Sequence, residues 1–262
     1  MNRKLPVTAI LMALALALQT PLVAVASDTE KEARWAAQIV DSLLDGDAVW
    51  LDDGSGHEFL GIMTEGNADS GHAVILVHGI GVHPNWADVI YPLRVGLLEN
   101  DITTLSIQMP ILANDAESAE YTPLFAEVPA RFDAAFAYLK EQGYREISIV
   151  AHSMGASMTS YYLSRQPANT PDSVALIGMG AGEAFPGNIE AMAQIRVPLL
   201  DLYGGKDLPH VMSSVDARSA SGKQSGAEYR QVRVEGANHF FQGSEAELVQ
   251  QVLSWLEAQA AS

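Results

Sequence analysis

Short apolar runs that alternate with helix-competent segments constrain this 262-residue chain more than any other feature. The runs are "AVILVHG" (73–79), "ITTLSIQMP" (102–110), "EISIVAH" (146–152), "SVALIGMG" (173–180) and "VPLLDLYG" (197–204), and the more polar "EYRQVRVEG" (228–236) reads as the last strand. Helix-competent stretches fall at Trp86 to Glu99, within Tyr121 to Gln142 from near Pro123, at Met154 to Arg165, and at 244–259. A strand covered on both faces reads as a continuous apolar run, and parallel neighbours need a crossover, usually a helix. The pattern therefore predicts an α/β fold, a mostly parallel sheet with helices on both faces. In such sheets ligands bind beyond the carboxyl ends of the strands, so the residues just after each run are the candidates for chemistry.

Two elements precede the alternation. "TEKEARWAAQIVDSLLDG" reads as an amphipathic helix, with Thr29 and Glu32 at capping-box spacing and Trp35, Ile39, Val40, Leu43 and Leu44 on one face. "AVWL" and "HEFLGIMTE" flank the turn-rich "DDGSG" and read as a hairpin. Earlier still, Arg3 and Lys4, the apolar stretch Val7 to Leu18 and the small residues Ala24 and Ala26 have the three-part layout of a secretory signal peptide. The apolar stretch is short for a membrane anchor, which needs about 20 residues. Cleavage before Ser27 would leave 27–262 as one exported domain with no stable membrane anchor, in the periplasm or the medium. The chain has no cysteine, hence no disulfide and no thiolate metal site, which a bacterial periplasm permits. A net charge of −17 opposes binding to nucleic acid or anionic lipid. No HExxH, P-loop or dinucleotide fingerprint is present, so neither a metal nor a cofactor is expected.

The stretch "IVAHSMGAS" (149–157) joins a strand directly to a helix through Ser153. A serine on such a corner stands above the sheet, and the amides of the following helix favour a developing anion. This is a nucleophile elbow in which alanine replaces the first glycine of G-x-S-x-G. His152 is adjacent on a tight turn, so its ring should point away and pack beneath the corner or bond a neighbouring strand. A serine nucleophile needs a base, and the base needs an acid to orient it. His210 and His239 follow Ser153 in sequence. His239, in "VEGANHFF" just after the final strand, has the better placement. Asp207, in the glycine-bearing loop "YGGKD", is the leading acid, with Asp201 and Glu183 as rivals and a helix-cap role as its alternative. Two backbone donors should receive an oxyanion: Met154 N–H and, from the "HGIG" loop (78–81), Ile80 N–H. His83 and Trp86, in "GVHPNW", either line an acyl or alcohol pocket or anchor this loop to the next helix.

With "HGIG", "AHSMG", "KD" and "NH" in this order, the chain resembles the α/β-hydrolase superfamily over nearly all of 27–262. The elbow is similar to that of lidless secreted bacterial lipases. "HGIGVHPNWADVIYPLR", "TTLSIQMP" and "GANHFF" resemble an uncharacterised family of exported bacterial α/β-hydrolase-like proteins. The resemblance implies the fold and the serine–acid–histidine order, but no substrate. The expectation is an exported serine hydrolase of the carboxylesterase kind, acting on a small ester or related acyl compound. Thioester or amide hydrolysis, or a non-catalytic envelope-associated binding protein, are the alternatives. The connection from Gly182 to Arg196 has room for one short helix near Ile189 to Gln194, so little or no lid is expected.

Overall fold

A computed structural model describes residues 26–67, 71–182 and 185–260. The signal-peptide expectation, up to residue 25, and the rival acid Glu183 lie outside the described residues. Eight strands form one sheet: β1 (Asp47–Asp52), β2 (Glu58–Thr64), β3 (His72–Val77), β4 (Thr103–Ile107), β5 (Glu146–His152), β6 (Val174–Ile177), β7 (Leu199–Lys206) and β8 (Tyr229–Asn238). Their order is β1-β2-β4-β3-β5-β6-β7-β8. The β1–β2 and β2–β4 pairs are antiparallel, and all the others are parallel.

Helices cover both faces, as the apolar runs require. Alternate side chains of a strand point to opposite faces. Ala73, Ile75 and Val77 of β3, with Ile149 and Ala151 of β5, enter the core under α3 (Val128–Glu141) and α4 (Met154–Ser164), with Phe132, Phe136, Met158 and Tyr162. Val74, Leu76 and Val150 enter the opposite core, under α2 (Ile90–Leu98) and α8 (Glu245–Ala260), with Leu93, Leu97, Leu248, Val252 and Trp255. Parallel pairing brings the carboxyl ends of β3, β5, β6 and β7 to the same side, with Val77 opposite Ala151 and His152 opposite Ile177.

The N-terminal helix α1 (Thr29–Ser42) is turned relative to the expected face. Ala36 and Ile39 are buried, whereas Val40 and Leu44 are 40% and 91% exposed. Polar anchors set this orientation. Buried Glu32 pairs with buried Arg131 at 3.0 Å, and Lys31 Nζ donates to the Leu112 carbonyl at 2.6 Å. The helix is capped by Asp28, whose side chain accepts from the Lys31 amide, rather than by Thr29.

Two further differences have local causes. The helical pattern expected from near Pro123 divides into a 3₁₀ segment, Ser118–Ala126, and α3, with Pro129 in its first turn where no N–H is needed. Helix α2 starts at Ile90 rather than Trp86, after a turn in which the Trp86 amide bonds the His83 carbonyl. Helices α6 (Pro209–Met212) and α7 (Val215–Gln224) have no apolar signature. The buried residues of α7 are Arg218, Ser221 and Gly222. Arg218 meets Asp201 at 3.0 Å, and Asp201 also accepts from Tyr229 and Gln231. Gly222 is required because a Cβ there would lie 2.2 Å from the Tyr229 ring.

Asp201 is therefore committed to a buried ion pair between β7 and α7, which removes it as a rival acid. Asp201→Ala leaves a buried guanidinium without its partner, a loss of about 3–5 kcal/mol. In a chain of this size the melting temperature should fall by roughly 6–20 °C. Thermal unfolding of the variant checks this.

Candidate active site

The corner between β5 and α4 places Ser153 at φ 57° and ψ −120°, a backbone conformation that side-chain-bearing residues rarely adopt. Such strain costs on the order of 1–3 kcal/mol and persists only where the surroundings enforce it. Here they do. A Cβ at Gly155 would lie 2.3 Å from the His78 carbonyl oxygen, so α4 can pass this close to the end of β3 only with glycine at that position. Ala151 meets no such constraint: its methyl packs in the core, which explains why alanine serves where the motif usually has glycine.

Three strand ends meet at Ser153. His239, at the end of β8, brings Nε2 to 3.0 Å from Ser153 Oγ. Its Nδ1 lies 2.6 Å from Asp207 Oδ1, in the turn after β7. A carboxylate only accepts, so Nδ1 carries the proton and Nε2 is left to accept from the serine hydroxyl. The Leu208 amide donates to Asp207 Oδ1 at 2.8 Å and the Gly204 amide to Oδ2 at 3.1 Å. Burial alone would raise the Asp207 carboxyl pKa. The hydrogen bond and charge of His239, with these two amides, hold it below the usual range. Asp207 is not the N-cap of α6, a position held by Leu208. The rival His210 rests its ring against Phe185, with ring centres 4.8 Å apart, and against Gly180.

The HGIG loop abuts the corner: a Cβ on Gly79 would lie 3.2 Å from that of Ser153. Met154 is the first residue of α4, where helical amides lack an intrahelical acceptor. The Tyr121 hydroxyl accepts from the Leu112 amide at 3.1 Å and from the Gly81 amide, which engages the amide next to that of Ile80. His83 and Trp86 follow this loop, and His83 packs with Trp35. The His83 ring stands edge-on to both Trp35 and Trp86, at 5.4 and 5.7 Å, and ties the loop to α1.

Sequence reasoning did not single out the role of His78. Its Nδ1–H donates to the Gly79 carbonyl at 2.8 Å, and its Nε2 accepts from the Met109 amide at 2.9 Å. The ring thus ties the HGIG loop to the end of β4. The available signal was a histidine ending an otherwise apolar strand. His152 plays a matching part. Its Nε2–H donates to the His239 carbonyl at 3.0 Å and holds that loop from beneath.

Beside the corner, a half-open cleft of about 530 Å³ runs between the 3₁₀ segment, α4 and α5 (Asn188–Met192). Met154 is one of its lining residues, and Pro123, Phe125, Tyr161 and Phe185 make it largely apolar. Neither His83 nor Trp86 lines it. The described part of the connection between β6 and β7 contains α5 and no larger insertion. Among the described residues, no group of carboxylate and imidazole side chains is arranged to hold a metal, and no helix is long and apolar enough to cross a membrane.

The sequence matches the family described as "Protein of unknown function (DUF3530)" over residues 9–126 and 113–258. The chain belongs to this family. No curated protein matches it. Among solved structures, Est1E from Butyrivibrio proteoclasticus is similar, with a TM-score of 0.64 at 14% identity, over 83% of this chain and 100% of that one. Dienelactone hydrolase from Anabaena variabilis has a TM-score of 0.64 at 19% identity, over 82% and 97%. XC6422 from Xanthomonas campestris, an α/β serine hydrolase without lid, has a TM-score of 0.62 at 18% identity, over 80% and 95%. At these identities the likeness shows the fold. This member of the family has the α/β-hydrolase fold with minimal or no lid.

Burial lowers the pKa of both His78 and His152 to about 3. In the unfolded chain each takes up a proton near pH 6.5. Their contribution to stability is therefore complete above that pH and is lost as pH falls toward 3. Between pH 6.5 and 4.5 each should forfeit about 2–3 kcal/mol. Denaturant unfolding at the two pH values should show this loss, and His152→Asn should lessen it.

Proposed function

We propose that the protein is a serine hydrolase acting on carboxylic esters through an acyl-enzyme. The observation that carries this reading is the unbroken chain of hydrogen bonds from Asp207 through His239 to Ser153 Oγ, on a strained corner at the carboxyl edge of the sheet.

In this reading Ser153 Oγ attacks the acyl carbon while His239 Nε2 takes its proton. Asp207 keeps His239 in the tautomer that can accept, and stabilises the imidazolium that forms. The amides of Met154 and Ile80 receive the tetrahedral oxyanion, each such donor contributing on the order of 10²–10³ in rate. His239 then protonates the departing alcohol and activates water to release the acid. The half-open cleft supports dissolved esters of small or medium size as substrates. Export, with cleavage before Ser27, is part of the proposal, and the N-terminal layout of the sequence supports it.

A fluorophosphonate should label Ser153, as peptide mass mapping would detect. Ser153→Ala should abolish both labelling and ester turnover. His239→Ala should lose most turnover, and Asp207→Asn should reduce kcat by about 10⁴-fold. Parallel assays with ester, thioester and anilide substrates measure the preferred bond. Wild-type turnover in Ser153→Ala would defeat the assignment.

A further inference from the structure

The cleft beside Ser153 says which part of a substrate it holds. Under the hydrolase reading, on which this inference rests, His239 Nε2 must reach the leaving oxygen, so the alcohol lies against His239. The apolar side chains adjoining His239 and Asp207 in sequence, Phe240 and Leu208, are 40% and 38% exposed, so that side faces solvent. Met154, which follows Ser153 and whose amide would meet the acyl oxygen, lines the cleft, whereas Ser153, Ile80, His239 and Phe240 do not. Its volume of about 530 Å³ lies within the range of small-molecule pockets.

The chemistry of the walls narrows the group further. Phe125 and Tyr161 stand edge to face at 5.5 Å, and Phe185 adds a third ring. The Asn188 amide is already spent on Ser157 Oγ and the Gly180 carbonyl, and the Ser164 hydroxyl on the Tyr161 carbonyl. Among the described lining residues the charged one is Glu190, an acid. Arg165 lies over the Tyr161 ring at 5.3 Å but does not line the cleft. We propose that this cleft is the acyl site, and that it selects bulky, uncharged, apolar or aromatic acyl groups over short or carboxylate-bearing ones.

The test uses 4-nitrophenyl esters with the acyl group varied from acetyl to octanoyl and phenylpropanoyl. A second series keeps acetyl and varies the alcohol. Each acyl methylene should raise kcat/KM by about fourfold until the cleft is filled, the equivalent of about 0.8 kcal/mol. Lengthening the alcohol should change it little. Ala191→Trp, which fills the cleft, should lower the octanoyl-to-acetyl ratio at least tenfold. Glu190→Lys, at an exposed position, should raise the rate on a succinyl half-ester relative to the butyryl ester. Unchanged acyl ratios in both variants, or a shift in alcohol preference instead, would overturn the assignment while leaving the hydrolase reading intact. Absence of both labelling and turnover in the wild-type protein would overturn both.

A separate observation concerns the N-terminus and rests on the proposed export. The Ser27 amide lies 3.1 Å from Glu127 Oε1, and its hydroxyl lies 2.8 Å from Oε2. Ser27 is buried, and the next amide, of Asp28, bonds the Ile111 carbonyl at 2.7 Å. Hydrolysis of the Ala26–Ser27 bond by a signal peptidase adds water across it, leaving a carboxylate on Ala26 and an ammonium on Ser27. We infer that Glu127 is the receptor for this new ammonium. Glu127 ends the 3₁₀ segment that walls the cleft, so processing would brace that wall.

The protein beginning at Ser27 should show an α-amino pKa above the ordinary value of about 7.7–8.0, read from amine-labelling rates against pH. It should also melt about 2–4 °C above a form extended by two residues. Glu127→Gln should remove both effects, while Ser27→Ala, which keeps the amine, should retain the raised pKa. Equal labelling profiles for wild type and Glu127→Gln would overturn the inference. So would finding residues 1–26 still attached in the protein isolated from cells.

Discussion

The close crossing of α4 over the end of β3 is the contact on which the site depends. It requires glycine at 155, where any side chain would meet the His78 carbonyl, and it forces Ser153 to a positive φ. The strain lifts one hydroxyl clear of the sheet edge and starts a helix directly behind it. His78 and His152 then act as buried struts. One ties the HGIG loop to β4, and the other holds the His239 loop beneath the corner. Their low proton affinity keeps them neutral, so these supports do not change charge near neutral pH.

Away from the site, the chain substitutes buried ion pairs for the covalent bridges it lacks. Glu32–Arg131 holds the N-terminal helix to α3, and Asp201–Arg218 joins β7 to α7. Arg94 makes a third anchor through Thr64, Asn85 and the Asp45 carbonyl. Such groups are costly to bury singly, but once satisfied they permit one orientation of each element. They also explain why α1 does not present the face its apolar residues suggest. Two buried charges at 31 and 32 determine the docking angle, and Val40 and Leu44 are left in solvent.

Much of this architecture is legible in the sequence. Strand β5 matches its apolar run to the residue, and the other parallel strands match theirs to within a few, because a strand covered on both sides must be apolar throughout. The convergence of Ser153, Asp207 and His239 follows from the same logic: each sits just past a strand end, and a parallel sheet brings those ends to one edge. Helix α7 is not legible, because its inward face is Arg218, Ser221 and Gly222 and carries no apolar period. In sequence the 3₁₀ segment reads as part of a continuous helix, since Pro123 is as acceptable in a first helical turn as inside a 3₁₀ turn.

The sequence by itself determined the layered fold, which follows from local apolar period and turn chemistry, while the order of Ser153, Asp207 and His239 is what the resemblance to the α/β-hydrolase superfamily implies. It left Asp207, Asp201 and Glu183 open as acids, because Asp207 and Glu183 follow neighbouring strands and Asp201 lies within one of them. Tertiary structure separated the first two: Asp201 faces Arg218 inside the protein, whereas Asp207 turns its carboxylate to His239. Only the assembled structure also showed that His83 and Trp86 brace a loop, while Phe125, Tyr161 and Phe185 line the cleft. The physical reason is common to these cases. Which side chains share a surface depends on contacts between segments tens of residues apart, and no local pattern in the chain encodes the angle at which two such segments meet.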